Sequence, residues 1–325
     1  MSNVTVDSGH TSKITDAAVD ASGKLLASSG EDGTIRVFST ECPIPGESNT
    51  NGGASWRLLI TLTGHKGPVV SIAWAPAQYY TSALLSCGED GQVILWGDVG
   101  QNPQEWLKIY TTTLSSPPWC TEWAPPAHGK MFAVGCKSGA VVVFTGEGQQ
   151  WSRAEFNAHP SGCFSLSWGP SMPPGALFTL PLEGDPNAQQ QSGTLIAPPR
   201  IVTCGGEGRV TVWTRNCEGW HPQELPLDVD ASWREVAWAP GVGTRHTYIA
   251  AGSEEGFVVV WSQEGDVTGE WTRVLLPQQE DGVTKLSWSP VGTFLLVSCA
   301  NGTASMWQES TSGQGWERSC ELFES

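Results

Sequence analysis

The chain has 325 residues, with 17 Lys plus Arg against 33 Asp plus Glu and a formal net charge of −16. So acidic a surface repels nucleic-acid phosphates and anionic lipid headgroups, which disfavours non-specific binding to either. Charged residues make up only 15% while Trp (17), Gly (38) and Pro (22) are abundant, the composition of a turn-rich chain with much aromatic surface to bury. Nine Cys are scattered without a Cys-x-x-Cys pair, so zinc spacing is absent and reduced thiols in cytosol or nucleus are expected. The first 30 residues are polar and no run of 18 apolar residues occurs, so neither a signal peptide nor a membrane span is expected.

No segment keeps apolar residues at helical spacing for three turns, whereas short alternating runs recur from end to end, which points to an all-β chain. The clearest unit is GHKGPVVSIAWAPAQYYTSALLSCGEDGQVILW, Gly64 to Trp96, three strands separated by turn residues. In chain order the repeats follow a short orphan strand at 3–6. They run over about 8–63, 64–112, 113–156, 157–226, 227–276 and 277–323. Each ends a hairpin in an aromatic residue: Phe38, Trp96, Phe144, Trp213, Trp261 and Trp307. Gly33, Gly91, Gly139, Gly208, Gly256 and Gly302 occupy the same turn position, where a tight hairpin needs positive φ.

A second aromatic closes an earlier strand at Trp74, Trp123, Trp168, Trp238 and Trp288, with Val19 in the first copy. Pro follows two residues later in each Trp copy and stops that strand. A third Trp opens a strand after each hairpin, at Trp56, Trp106, Trp151, Trp220, Trp271 and Trp316. Four strands per repeat match a propeller blade, and the Trp set is expected to pack between stacked sheets. A spacer at 42–55 and a Pro-rich insert at 171–199 inside the fourth blade read as surface loops, and no linker divides the chain, so 1–325 reads as one domain.

These residues resemble the WD-repeat family, although the literal Trp-Asp dipeptide is absent. The resemblance implies a hydrogen-bonded set of a Gly-His histidine, a strand serine, a hairpin aspartate and the closing Trp. Only the second blade carries all four, as His65, Ser86, Asp90 and Trp96. Asp32 keeps the acid in blade one, and Ser138, Glu207, Glu255 and Asn301 replace it elsewhere.

A narrower likeness rests on His10 with Ile14-Thr15-Asp16-Ala17, on GHKGPVVSIAWAP with Tyr79-Tyr80, and on GEGQQW at 146–151. It rests also on NAHPSGCFSLSWGP at 157–170, the blade-four insert, and ASWREVAWAP at 231–240. Together these are similar to the propeller subunits shared by the COPII outer coat and the nuclear pore outer ring. The likeness implies an open six-bladed WD-repeat β-propeller, completed to seven blades by a partner chain. It implies a non-catalytic scaffold for ER-to-Golgi vesicles and for the pore, at the cytoplasmic face of ER exit sites and COPII vesicles and at the nuclear envelope. The implied partner is the long coat subunit or a scaffold nucleoporin, an α-solenoid donating a blade in trans, giving a hetero-oligomer without nucleic acid or membrane insertion.

The chain ends point the same way. Trp316 to Phe323 already supplies an outer strand to the sixth blade, so Val4, Thr5 and Val6 have no blade of their own. An orphan strand and uncovered sheet faces predict strand addition by another chain, with Val4-Thr5-Val6 as the pairing segment. The alternatives are another WD-repeat adaptor, or a peptide-reading substrate receptor, which needs a basic or aromatic ring on one face. No catalytic residue, cofactor site or metal site is expected. Gly-x-Ser-x-Gly, phosphate-loop and His-Glu-x-x-His patterns are all missing, and the carboxylate pairs recur with the hairpins as turn chemistry.

Overall fold

The computed structural model describes residues 7–40, 56–98, 105–148, 150–173, 196–241, 244–265, 269–310 and 315–323. The 3–6 strand with Val4, Thr5 and Val6, the 42–55 spacer, and the insert between 174 and 195 lie outside the described residues. Among the described residues twenty-four strands form six four-stranded sheets, the blades of an all-β six-bladed propeller. The first blade is β1 (Ile14–Val19), β2 (Leu25–Gly30), β3 (Thr34–Ser39) and β4 (Arg57–Thr63), and the second is β5 (Val69–Trp74), β6 (Ala83–Gly88), β7 (Gln92–Asp98) and β8 (Trp106–Thr113). The third is β9 (Pro118–Trp123), β10 (Met131–Cys136), β11 (Ala140–Glu147) and β12 (Gln150–Asn157). The fourth is β13 (Ser165–Trp168), β14 (Arg200–Cys204), β15 (Val210–Arg215) and β16 (Trp220–Glu224). The fifth is β17 (Trp233–Trp238), β18 (His246–Ser253), β19 (Val258–Glu264) and β20 (Thr272–Leu275), and the sixth is β21 (Val283–Trp288), β22 (Phe294–Cys299), β23 (Ala304–Glu309) and β24 (Trp316–Phe323). In every sheet the strands lie side by side in sequence order. A single-turn 3-10 helix at Pro126–His128 is the helical element among the described residues.

The chain forms two compact units, residues 1–123 and 124–325. The division falls between β9 and β10, at a point where the sequence carries no linker.

Burial grades across each sheet and explains the strand sequences. The second strands of the second, third and fourth blades are buried along their length, as in β6 (ALLSCG) and β10 (MFAVGC), because both their faces are covered. They therefore read as continuous apolar runs. The outer strands alternate or face solvent, as in β8 and β12, and carry the Lys, Arg and Glu. Sheets meet face to face through apolar clusters. In the first unit Ile35, Val37 and Leu62 of the first blade pack on Ile72, Ile94 and Trp96 of the second. In the second unit Val202, Val210 and Val212 pack on Trp233, Val236, Val259 and Trp261. The next cluster joins Tyr248, Val258 and Val260 to Leu286, Leu295 and Trp307.

The three Trp series have separate positions. Trp74, Trp123, Trp168, Trp238 and Trp288 end the inner strands β5, β9, β13, β17 and β21. Four of them meet the Trp at the outer edge of their own blade edge-on: Trp74–Trp106, Trp168–Trp220, Trp238–Trp271 and Trp288–Trp316, with ring centroids 5.6–6.0 Å apart. Such a T-shaped pair contributes about 0.5–1.5 kcal/mol beyond its burial. Packing between sheets, expected for the whole set, is thus joined by pairing across a single sheet. The inner Trp also tie neighbouring blades: the Trp74 indole donates to Ala18 O (2.9 Å), and the Trp288 indole to Ala237 O (3.0 Å).

The hairpin glycines sit at φ 75–87°. Gly139 has the strictest need, since a Cβ there would lie 1.4 Å from the carbonyl oxygen of His159.

Candidate functional site

In the second blade a chain of hydrogen bonds starts at the buried aromatic of the third strand, β7. The Trp96 indole donates to Ser86 Oγ at 2.9 Å, Ser86 and His65 Nε2 are 2.8 Å apart, and His65 Nδ1 lies 3.1 Å from Asp90 Oδ1. Serine has one proton to give, and Trp can only donate. The consistent assignment is Trp N–H to Ser oxygen, Ser O–H to His Nε2, and His Nδ1–H to the carboxylate. That assignment requires a neutral imidazole. Burial pushes the His65 pKa below its ordinary value despite the opposing pull of Asp90, which keeps the ring neutral.

Asp90 has a second task. Its oxygens accept the backbone N–H of Lys66 (2.8 Å) and of Gln92 (3.0 Å), tying the loop before β5 to the hairpin between β6 and β7. Burial works to raise the Asp90 carboxyl, and these hydrogen bonds together with His65 outweigh it, so the group lies below its ordinary value. The structure therefore brings His65, Ser86, Asp90 and Trp96 together, with Ser86 fully buried.

The pattern reaches further than the second blade. In the first, His10 Nδ1 is 3.0 Å from Asp32 and its Nε2 is 2.9 Å from Ser28 Oγ, with Phe38 where the Trp would stand. Asp32 also accepts Thr11 N (3.1 Å) and the Thr34 hydroxyl (2.7 Å), and its carboxyl is held far below the ordinary range: burial opposes this, and Thr34, His10 and Thr11 overcome it.

The expectation of one complete set is corrected by the fourth blade. There the Trp213 indole donates to Thr203 Oγ1 at 3.0 Å, Thr203 meets His159 Nε2 at 2.7 Å, and His159 Nδ1 bonds Glu207. Glu207 also receives the Ser161 hydroxyl. Thr supplies the hydroxyl and Glu the carboxylate, so a reading by residue identity misses a set that is intact by chemistry. A signal was present: Thr203 precedes Trp213 by the same 10 residues that separate Ser86 from Trp96.

The other blades use parts of the scheme. Glu255 accepts Ser232 N at 3.1 Å, holding the loop before β17 as Asp90 holds the loop before β5. With no hydroxyl at the matching place, the Trp261 indole donates to Pro226 O (2.8 Å). The Trp307 indole uses Ser305 Oγ (2.9 Å), whose own hydroxyl donates to Gln279 (3.1 Å). Asn301 closes its hairpin through Thr303 N at 3.0 Å, and Ser138 lies 3.5 Å from Ala140 N in the third.

These sets fasten loops to hairpins. His10, His65 and His159 each have both ring nitrogens engaged within their own blade. Among the described residues no group of three or more His, Cys, Asp or Glu could hold a metal ion. The expected partner-binding residues Val4, Thr5 and Val6 lie outside the described residues. On the described side, β24 forms the outer edge of the sixth sheet through pairing with β23, from Glu309↔Trp316 to Ala304↔Phe323.

The WD domain, G-beta repeat family matches residues 1–39, 56–97 and 270–308. The chain is 32% identical over 318 residues to the "Protein SEC13 homolog" of Drosophila melanogaster, covering 96% of this chain and 82% of that protein. It is 31% identical over 321 residues to "Protein transport protein sec13" of Emericella nidulans, covering 96% of both. It is 32% identical over 336 residues to "Protein transport protein SEC13" of Cryptococcus neoformans, covering 97% of this chain and 96% of that protein. With likeness of that extent running through all six blades, the chain belongs to the SEC13 family of WD-repeat propeller proteins.

Proposed function

We propose that this chain serves in protein transport, as a non-catalytic scaffold subunit of the COPII coat that also serves in the outer ring of the nuclear pore. In that role it stiffens an elongated α-solenoid partner that adds a seventh blade in trans beside Val4-Thr5-Val6. Its site of action is the cytoplasmic face of ER exit sites and vesicles, and the nuclear envelope. The observation that carries this reading is the completeness of the sheets. All six are filled by strands drawn from residues 14–323, and β24 takes the outer place in the last. No described sheet draws a strand from the N-terminal segment, and strand addition would pair that segment with a partner. The transport names of the family members support the coat assignment. The histidine sets support a structural role, since their nitrogens are committed to partners inside the blade.

Co-purification of the full chain with the long coat subunit, and separately with a scaffold nucleoporin, tests this. A stable one-to-one complex is expected, and deletion of residues 1–6 is expected to weaken it more than tenfold, equivalent to about 1.4 kcal/mol or more. Equal affinity with and without those residues would remove the donated-blade reading.

A further inference from the structure

The outer strands of a propeller present unpaired backbone to solvent, and proteins protect such edges with charge or proline. In residues 124–325 most outer strands do so. Strand β12 carries exposed Arg153 and Glu155, β16 carries Pro222, and β24 carries Glu317 and Arg318. Strand β20 differs. All four of its side chains are exposed, and it pairs with β19 alone. Val274 (36%) and Leu275 (49%) are the exposed large apolar residues on an outer strand of this unit, among the described residues. Its single charge, Arg273, does not guard the edge, because its guanidinium is drawn into an ion pair with Asp228.

Beside the strand lies a cavity of about 410 Å³ lined by Asp228, Val229, Val259, Arg273 and Leu275. Val259 is buried and Val229 half-buried, so the floor is aliphatic, and the Asp228–Arg273 pair closes the rim without net charge. Glu270, exposed, lies two residues before β20.

We propose that β20 and this cavity form a docking site for an extended segment of another protein, distinct from the N-terminal segment and independent of the role proposed above. The free backbone row of β20 selects a β-strand as the occupant, since only an extended chain matches its spacing of donors and acceptors. Alternate side chains of that strand point to one face, so one of them enters the cavity, and its lining makes an aliphatic residue the fit. The exposed Glu270 and the chain's net charge of −16 select Lys or Arg beside that residue, because the cation in the lining is already paired.

The probe is a phage-displayed library of linear peptides, panned on the full chain and counter-selected on the full chain carrying Leu275→Asp. Leu275 is half exposed, so that variant keeps its fold, which circular dichroism checks. The expected result is peptides with one aliphatic residue close to Lys or Arg. As synthetic peptides they should lose at least tenfold in affinity on Leu275→Asp, and at least tenfold when the amides on one edge of the peptide are N-methylated. Amide exchange at Thr272 to Leu275 should slow on binding, and deletion of residues 1–6 should change nothing. The proposal is overturned if no peptide distinguishes the two chains. It is equally overturned if N-methylation leaves affinity intact in both alternate registers, or if residues 1–6 are required.

Discussion

The indole N–H of Trp213 donates to the hydroxyl of Thr203 at 3.0 Å, and that hydroxyl in turn serves His159. Thr203 is therefore the hinge of the fourth-blade set. Replacing it by Val keeps the shape and removes both connections, leaving the Trp213 N–H and the His159 Nε2 buried without partners. A buried group left so costs about 1–3 kcal/mol. Thr203→Val should lower the midpoint of urea unfolding by that order, and Thr203→Ser should restore most of it. In Trp213→Phe the aromatic contact with Phe156, now at 4.5 Å between centroids, is largely retained, and a smaller loss is expected.

The same histidines set a direction for pH dependence. Burial depresses the pKa of His65, His159 and His128 below 6.5. Below 6.5 the unfolded chain takes up protons that the native imidazoles refuse, so native stability falls as pH drops through that region. Asp90 and Glu207 add a second loss in the same direction. Burial favours their protonation, but hydrogen bonds hold both below their ordinary 3.8 and 4.5, and the stabilisation fades as pH falls through those values and on through the depressed native pKa. Melting temperature should decline from about pH 7 to about pH 5 and more steeply below about pH 4. A His65→Asn, His159→Asn double variant should start lower and show a flatter first stage.

Two glycines with nearly the same backbone angle offer a matched comparison. Gly139 (φ +87°) faces the His159 carbonyl, while Gly302 (φ +84°) has nothing within 4 Å of a built Cβ. Gly302→Ala should cost only the left-handed strain, about 1–2 kcal/mol. Gly139→Ala adds a collision with backbone and should destabilise clearly more. Similar unfolding midpoints for the two would contradict the close approach seen at β11.

Tyr248 is buried, its hydroxyl donates to Glu309 at 2.7 Å, and its ring stands 5.5 Å edge-on from Trp316. Burial, then Glu309, raises the phenol far above the ordinary 10.0. A phenol so raised stabilises the native state below pH 10.0, and that contribution disappears as pH climbs past it. After a jump to about pH 11, tyrosinate absorbance should include a slow component limited by unfolding. Tyr248→Phe should abolish that component and leave the immediate one.

Much of the fold was legible because its rules are local. A Gly needing positive φ marks each hairpin, and Trp followed two residues later by Pro marks the inner-strand end in every blade but the first, so strands such as β5 and β21 could be placed from a few letters. The fourth-blade set was hidden because Thr203 and Glu207 preserve the chemistry of Ser and Asp without their names. The Trp–Trp contacts within blades were hidden because pairs such as Trp238 and Trp271 meet across two intervening strands. The cavity beside β20 depends on Arg273 reaching Asp228, 45 positions earlier, a closeness that no spacing rule encodes.

Because each blade is woven from consecutive strands, none has to wait for the far end of the polypeptide. A sheet that borrows a strand from the opposite terminus stays incomplete until synthesis ends. Apart from the β3–β4 and β13–β14 connections, which carry the 42–55 spacer and the 171–199 insert, each hairpin can close soon after it leaves the ribosome, with a short loop and little entropy to overcome. Unfinished edges are then exposed only briefly to other nascent chains, which lowers the hazard of misassembly for so strand-rich a product.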